Sequence, residues 1–253
     1  MIKPKLSIVI PNYNEKENLE RGVLDQVYNY LKKVHYSWEV IVNDDGSTDG
    51  GDKLIESFVR KHTGFKLIRG QHGGKAAGIW NGIRVAKGEI VLFTDMDQST
   101  PLKEVEKLLP WFEKGYDVVY GSRGKMRNNF PWFRQVTSWG FRVFRGLFLL
   151  RDVVDTQCGF KALRLPLAKK IFPKLSVITE KSKAEGWKVS AYDVEMLFLA
   201  EKYGSKLKEV DVVWNDEDTS TGKNKNFVSE SLDMLKQILQ VKLNDISGKY
   251  DKN

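Results

Sequence analysis

The run Glu89-Ile90-Val91-Leu92-Phe93-Thr94-Asp95-Met96-Asp97 is largely apolar and stops on two carboxylates one residue apart. A buried strand that ends this way sets negative charge at a strand tip, where α/β sheets keep their ligand crevice. Carboxylates so close repel, and a divalent cation shared with an anionic group such as a nucleotide diphosphate relieves that repulsion. Taken alone, Asp-x-Asp reads first as an Asp-rich turn in water. Two more polar clusters follow short apolar runs, Pro11-Asn12-Tyr13-Asn14-Glu15 and Asp44-Asp45-Gly46-Ser47-Thr48-Asp49. Asp45-Gly46-Ser47 offers a carboxylate and backbone amides to a base or ribose, and equally the makings of a plain turn with a helix cap. No Gly-x-Gly-x-x-Gly follows the first run and no Walker sequence occurs, which counts against dinucleotide and P-loop sites.

The elements that must position these residues alternate between strand and helix signals. Leu6–Ile10, Trp38–Val42, Phe65–Ile68, Ile90–Thr94 and Asp117–Tyr120 read as strands. Between them, 15–33 carries Leu19, Val23, Val27, Tyr30 and Leu31 at helical spacing, and Thr48 or Asp49 can cap a helix with Leu54, Ile55, Phe58 and Val59 on its buried side. Gly74–Ala86 and Leu102–Phe112 read as further helices. Short links between such elements predict a mostly parallel sheet with right-handed crossovers, so the polar strand tips become neighbours at one edge. The second half is less regular. Trp132–Leu150, Leu165–Phe172, Tyr192–Tyr203 and Phe227–Leu243 read as helices, Leu207–Trp214 as a strand, and 216–226 as a polar loop bearing Lys223 and Lys225. With no repeat and no low-complexity linker, 1–253 reads as a single domain.

Composition narrows the class. The chain has 253 residues, 41% hydrophobic and 29% charged, which describes an ordinary globular protein. A lone cysteine, Cys158, rules out an intrachain disulfide framework and suits a reducing compartment; with no partner histidine it reads as a small packed residue. His35, His62 and His72 have no metal-ligand spacing. No secretory leader is visible and no apolar stretch approaches the ~20 residues of a membrane span. The net charge is +8, and 118–151 holds no Asp or Glu but carries Arg123, Lys125, Arg127, Arg134, Arg142, Arg145 and Arg151. Such a tract expects phosphate on nucleic acid, a lipid head group or a small substrate.

The order of these motifs, with Gly74-Lys75, Asn81-Gly82 and Asp95-Met96-Asp97, resembles family 2 glycosyltransferases of the A fold. Tyr120-Gly121-Ser122-Arg123, Asp155-Thr156-Gln157-Cys158-Gly159-Phe160-Lys161 and Asp193-Val194-Glu195-Met196-Leu197-Phe198-Leu199-Ala200 are similar to the dolichyl-phosphate glucose and mannose synthase group. The resemblance implies a Rossmann-like, mostly parallel sheet flanked by helices. A nucleotide-sugar half would span 1–121 and an acceptor half, with an amphipathic interfacial helix, 122–253. It also implies roles. Pro11, Tyr13, Glu15, Asp44, Asp45, Lys75 and Met96 would bind the donor, Asp95 would contact sugar and ribose, and Asp97 would hold Mg2+ or Mn2+ on the diphosphate. Some mannose synthases place a metal-binding Gln two residues after the second Asp; here Ser99 stands there and Gln98 precedes it.

On a helix, Arg134, Ser138, Arg142 and Arg145 make one polar stripe, while Trp132, Phe133, Trp139, Phe141, Phe144 and Phe148 fall on the other faces. Such a helix suits a membrane interface, or equally a core helix with a solvated face. The family pattern gives Arg123, Arg134 and Ser138 the lipid phosphate and sets Asp155 and Gln157 in a loop near the sugar. A polyprenyl phosphate is already anionic near neutral pH, so the expected reaction is one in-line, inverting displacement without an obligatory general base. Asp193 and Glu195 remain base or positioning candidates. The Asp155–Lys161 motif favours UDP-glucose over GDP-mannose as donor. Transfer to a saccharide or protein hydroxyl is the enzymatic alternative, and an acidic crevice opposes the nucleic-acid-binding one. The expected setting is peripheral, on the cytoplasmic face of a membrane.

Overall fold

Leu6-Ser7-Ile8-Val9-Ile10 is apolar on both faces, as a central parallel strand must be. In the computed structural model, which describes residues 3–123, 155–179, 192–215, 236 and 239–251, this run becomes β1 (Leu6–Asn12), buried at every residue. It continues through Pro11 to Asn12, two residues past the predicted end. β1 pairs in parallel with β2 (Trp38–Asp44) on one side and β4 (Ile90–Phe93) on the other, and β2 pairs with β3 (Phe65–Arg69). The seven-stranded sheet has the order β3-β2-β1-β4-β6-β5-β7. Here β5 is Val118–Ser122, β6 Lys161–Arg164 and β7 Leu207–Asp211.

β6 is the element the hydropathy pattern does not announce. It is four residues long, opens on a lysine, and runs antiparallel to both β4 and β5, while β5 and β7 are parallel. It brings 155–161 against the tip of β4. β7 ends at Asp211 rather than Trp214.

Alternation along the strands splits the core into two layers. Val9, Ile41, Val91 and Phe93 face Ile79 and Ile83 of the helix Lys75–Val85. Ile8, Ile10, Val40 and Val42 face Val23, Leu24, Val27, Leu31 and Ile55. The helical pattern over 15–33 is broken in two, Lys16–Glu20 and Val23–Leu31, because Gly22 takes φ +79°, a left-handed conformation that ends one helix and starts the next. Asp49 accepts the first amide of the next helix, from Gly51, at 2.8 Å. In the second half, helices form over Leu165–Ile171 and Tyr192–Lys202, and the described part of the closing helix, 239–246, runs past its predicted end at Leu243. Among the described residues no helix is long and apolar enough to cross a membrane. The stretch Trp132–Leu150, with Arg134 and Ser138, and the loop bearing Lys223 and Lys225 lie outside the described residues.

Candidate active site

The first two motifs are laced to each other. Asn12 and Asp44 are register partners at the ends of β1 and β2, and the Asn12 amide donates to Asp44 Oδ1 at 2.8 Å and to Ser47 Oγ at 3.1 Å. Ser47 N donates to Asp44 Oδ2 at 3.2 Å, Thr48 N to Asn14 Oδ1 at 2.8 Å, and Lys16 N to Asp49 Oδ2 at 2.8 Å. Asn14 meets this geometry with φ +53°. Buried Asp44 therefore anchors the loop pair from beneath, and Pro11 is buried within β1. Tyr13 and Glu15 are half-buried at the edge above them, and Glu15 Oε2 accepts from Asn18 at 2.5 Å.

Asp45 is fully buried and well supplied with donors. Gly73 N reaches its Oδ1 at 3.0 Å, Gly74 N its Oδ2 at 2.8 Å, and His72 Nδ1 the same Oδ2 at 3.0 Å. Burial pushes the Asp45 carboxyl above the usual aspartate value, outweighing these donors.

At the tip of β4 the Asp95-Met96-Asp97 turn is fixed from several sides. Gln98, at φ +53°, donates from its side-chain amide to the Asp95 carbonyl at 2.8 Å. Ser99 N donates to Asp97 Oδ1 at 2.9 Å, and Arg21 to the Asp97 carbonyl at 2.8 Å. Gln98 and Ser99 are both buried and shape this turn, while the Met96 side chain packs into the core beneath it. The Lys75 ammonium, at the start of the helix Lys75–Val85, lies 2.5 Å from Asp95 Oδ1. Burial works against its charge, but Asp95, Asp193 and Asp97 together outweigh that and hold its pKa above the usual lysine value.

The antiparallel strand delivers the fourth wall. A methyl group on Gly159 would collide with the Asp95 carboxylate, so the loop 155–160 passes flush against it. Lys161, wholly buried, lies 2.7 Å from Asp193 Oδ1 and also donates to the Cys158 carbonyl. Tyr192 is buried beside Asp193, and burial, Asp193 and Asp95 all push its phenol well above its ordinary pKa. Asp95, Lys75, Asp193 and Lys161 thus form a string of alternating charges between the tip of β4 and the helix Tyr192–Lys202.

Glu195, two residues on, belongs elsewhere. Its carboxylate accepts from Ser176 N at 3.0 and 2.9 Å, Ser176 Oγ at 2.8 Å and Tyr250 Oη at 2.6 Å. It ties the second half together. Asp155 takes Arg123 in a fork, Nε at 2.8 Å and Nη2 at 2.9 Å, and accepts Gln157 N at 3.1 Å. Burial opposes the charge of Asp155, but the Arg123 guanidinium holds its carboxyl well below the usual range. Arg123 spends Nε and Nη2 on this fork, and the Gln157 backbone amide is held by the same carboxylate. Cys158 is buried, and burial raises its thiol pKa, the setting of an inert packed cysteine.

Two residues of this arrangement carried no assigned role in the sequence. Lys161 stands in a recognisable motif, yet a lysine opening a short run reads as a solvated end. His72 lies in a glycine-rich connection and meets Asp45 only through the fold.

Among the described residues no group of three or more His, Cys, Asp or Glu gathers to hold a metal by itself. The hard oxygen donors at the tip of β4 fit Mg2+ or Mn2+, which take one or two protein carboxylates and complete their shell with phosphate and water.

The sheet that carries this carboxylate tip, with a lysine over one acid and a helix-borne aspartate opposite, has the glycosyltransferase A fold of its solved structural neighbours. A solved glucosyl-3-phosphoglycerate synthase of Mycobacterium tuberculosis, in complex with Mn2+, uridine diphosphate and glucosyl-3-phosphoglycerate, has the same fold: TM-score 0.65 at 19% identity, covering 94% of this chain and 80% of that one. Residues 7–172 match the family described as Glycosyl transferase family 2, and the chain belongs to that family. It is 31% identical over 260 residues to a dolichyl-phosphate beta-glucosyltransferase of Dictyostelium discoideum, covering 96% of this chain and 75% of that protein. With the Saccharomyces cerevisiae protein of the same description it shares 29% identity over 270 residues, 98% of this chain and 77% of that protein.

Proposed function

We propose that this glycosyltransferase moves glucose from UDP-glucose to the phosphate of a dolichyl-type polyprenyl lipid, with inversion, as a single unit working peripherally at the cytoplasmic face of a membrane. The observation that carries the phosphate acceptor is the engagement of both candidate bases: Asp193 is paired with buried Lys161, and Glu195 is taken up by Ser176 and Tyr250. A hydroxyl acceptor asks for a carboxylate ready to take a proton. A lipid phosphate arrives already anionic, so paired carboxylates suffice. The relatives named above support the glucosyl donor and the lipid class.

Tyr13, Glu15 and the Asp45 loop frame the nucleoside, and Asp95 orients sugar and ribose. Asp97 is the residue to hold Mg2+ or Mn2+ against the diphosphate, where the ion supplies Lewis-acid stabilisation of the charge on the leaving nucleotide. Lys75, kept charged by its acidic neighbours, steadies Asp95 and adds positive charge beside the diphosphate. Lys161 fixes Asp193 on the far side, where it positions sugar hydroxyls. Arg123, Arg134 and Ser138 grip the acceptor phosphate, and the aromatic stretch Trp132–Leu150 rests on the lipid surface.

Purified protein with Mg2+ or Mn2+, a panel of nucleotide sugars and a short polyprenyl phosphate tests this directly. UDP release from UDP-glucose that requires the lipid phosphate is the expected result. Release from GDP-mannose alone would move the donor assignment to the mannosyl alternative. Transfer to a saccharide or peptide hydroxyl but not to lipid phosphate would overturn the acceptor.

A further inference from the structure

His72 has an edge that nothing in the chain satisfies. Its Nδ1 lies 3.0 Å from Asp45 Oδ2 and 3.1 Å from the Asp45 backbone carbonyl. A carbonyl only accepts, so Nδ1 carries the proton, and in the neutral ring Nε2 is a bare acceptor. That Nε2 is buried and has no hydrogen-bond partner. Buried polar atoms are rarely left so without a ligand or a water to explain them. The ring is held firmly. It stacks on Tyr13 with centroids 4.1 Å apart and planes 21° apart. The side chain keeps 24% of its surface exposed, so the ring sits at the mouth of the site.

Asp45 is wholly buried and already receives Gly73, Gly74 and His72, so its carboxylate is turned inward to the protein. We infer that His72 is the residue that reads the nucleobase: Asp45 sets its tautomer, Tyr13 sets its plane, and Nε2 accepts the ring N3–H of uracil. This deepens the UDP-glucose reading and rests on it. An acceptor at that point matches uracil, whose N3 bears a hydrogen, and rejects cytosine, whose N3 is itself an acceptor. Asp45 is then a positioning residue that acts through His72.

Binding of UDP, N3-methyl-UDP and CDP to the full chain with Mn2+, measured by calorimetry, tests the assignment. Wild type should bind UDP about tenfold or more tightly than either analogue, the effect of one lost hydrogen bond with a buried partner left unpaired. His72→Phe keeps a ring on Tyr13, and His72→Ala leaves space for the methyl. Both should bind UDP more weakly, and the alanine variant should bring UDP and N3-methyl-UDP within about twofold of each other. Equal binding of UDP and N3-methyl-UDP by wild type overturns the role of His72 and leaves the UDP-glucose reading standing. A preference that persists unchanged in His72→Ala overturns it too. If wild type binds GDP and no uridine nucleotide, the donor reading falls and this inference with it. The wild-type comparison holds even where a variant fails to fold.

Discussion

In Asp95-Met96-Asp97 two carboxylates leave a strand tip, whereas in Asp193-Val194-Glu195 the same spacing falls in the first turn of the helix Tyr192–Lys202. Successive helical residues turn by about 100°, so two acids one residue apart point about 200° apart around the axis. Asp193 reaches toward Lys161 and Lys75, and Glu195 reaches away toward Ser176 and Tyr250. At the tip of β4 the chain has left the strand and turns back on itself, and Arg21, Gln98 and Ser99 fix that turn. Two acids with one spacing become one pair held in a single turn and one pair divided between two faces of a helix. Spacing has chemical meaning only once the local backbone is known.

Substitutions can break this comparison. The largest effect is expected from Asp97→Ala, a loss of about a thousandfold or more in lipid-phosphate-dependent UDP release, with Tm lowered only by the few degrees that the lost Ser99 amide contact costs. A residual rate within tenfold of wild type would remove Asp97 from the metal-binding role. Glu195→Ala should instead act on stability. It strips half-buried Ser176 and buried Tyr250 of their shared acceptor, at about 3 kcal/mol, seen as a fall in Tm of roughly 6–12 °C with UDP affinity of the folded protein intact. A catalytic loss without a Tm change would place Glu195 in the active site after all.

Asp193→Asn sharpens the division within the helix. Turnover of the folded protein should drop roughly ten- to a hundredfold, and Tm should fall at least as far as in Glu195→Ala, because the wholly buried Lys161 ammonium loses its counter-ion. If hydroxyl acceptors were the true substrates, the same variant would be nearly dead on them. The smallest effect is a pH dependence. The Asp155 carboxyl is depressed in the folded state by Arg123, so its contribution is present above the unfolded aspartate value of about 3.9 and is lost as pH falls below it. The stability gap between wild type and Asp155→Asn, about 2 kcal/mol near neutral pH, should shrink steadily in denaturant titrations carried out below pH ~4. A gap independent of pH would mean that the Arg123–Asp155 fork adds nothing electrostatic.

Most of the donor-side framework was legible in the sequence. β1, β2 and β4 are apolar runs, buried on both faces, that stop on polar residues, and burial on both faces is a property of composition alone. Hence the tips at Asn12, Asp44 and Asp95 fall within two residues of where the pattern puts them. Local chemistry also misled. The helical spacing from Leu19 to Leu31 runs through Gly22 without interruption, and only the backbone reveals the break.

By itself, then, the sequence determined the strand tips, the acidic pair on β4 and the resemblance to family 2, because each is written in contiguous residues. Tertiary structure decided the rest. It slid the short β6 antiparallel between β4 and β5, buried Lys161 against Asp193, forked Arg123 on Asp155, and set His72 between Asp45 and Tyr13. These contacts join residues far apart in the chain. Whether a charged or polar group faces water, a counter-ion or a ligand depends on what the fold packs against it, and hydropathy carries no record of that.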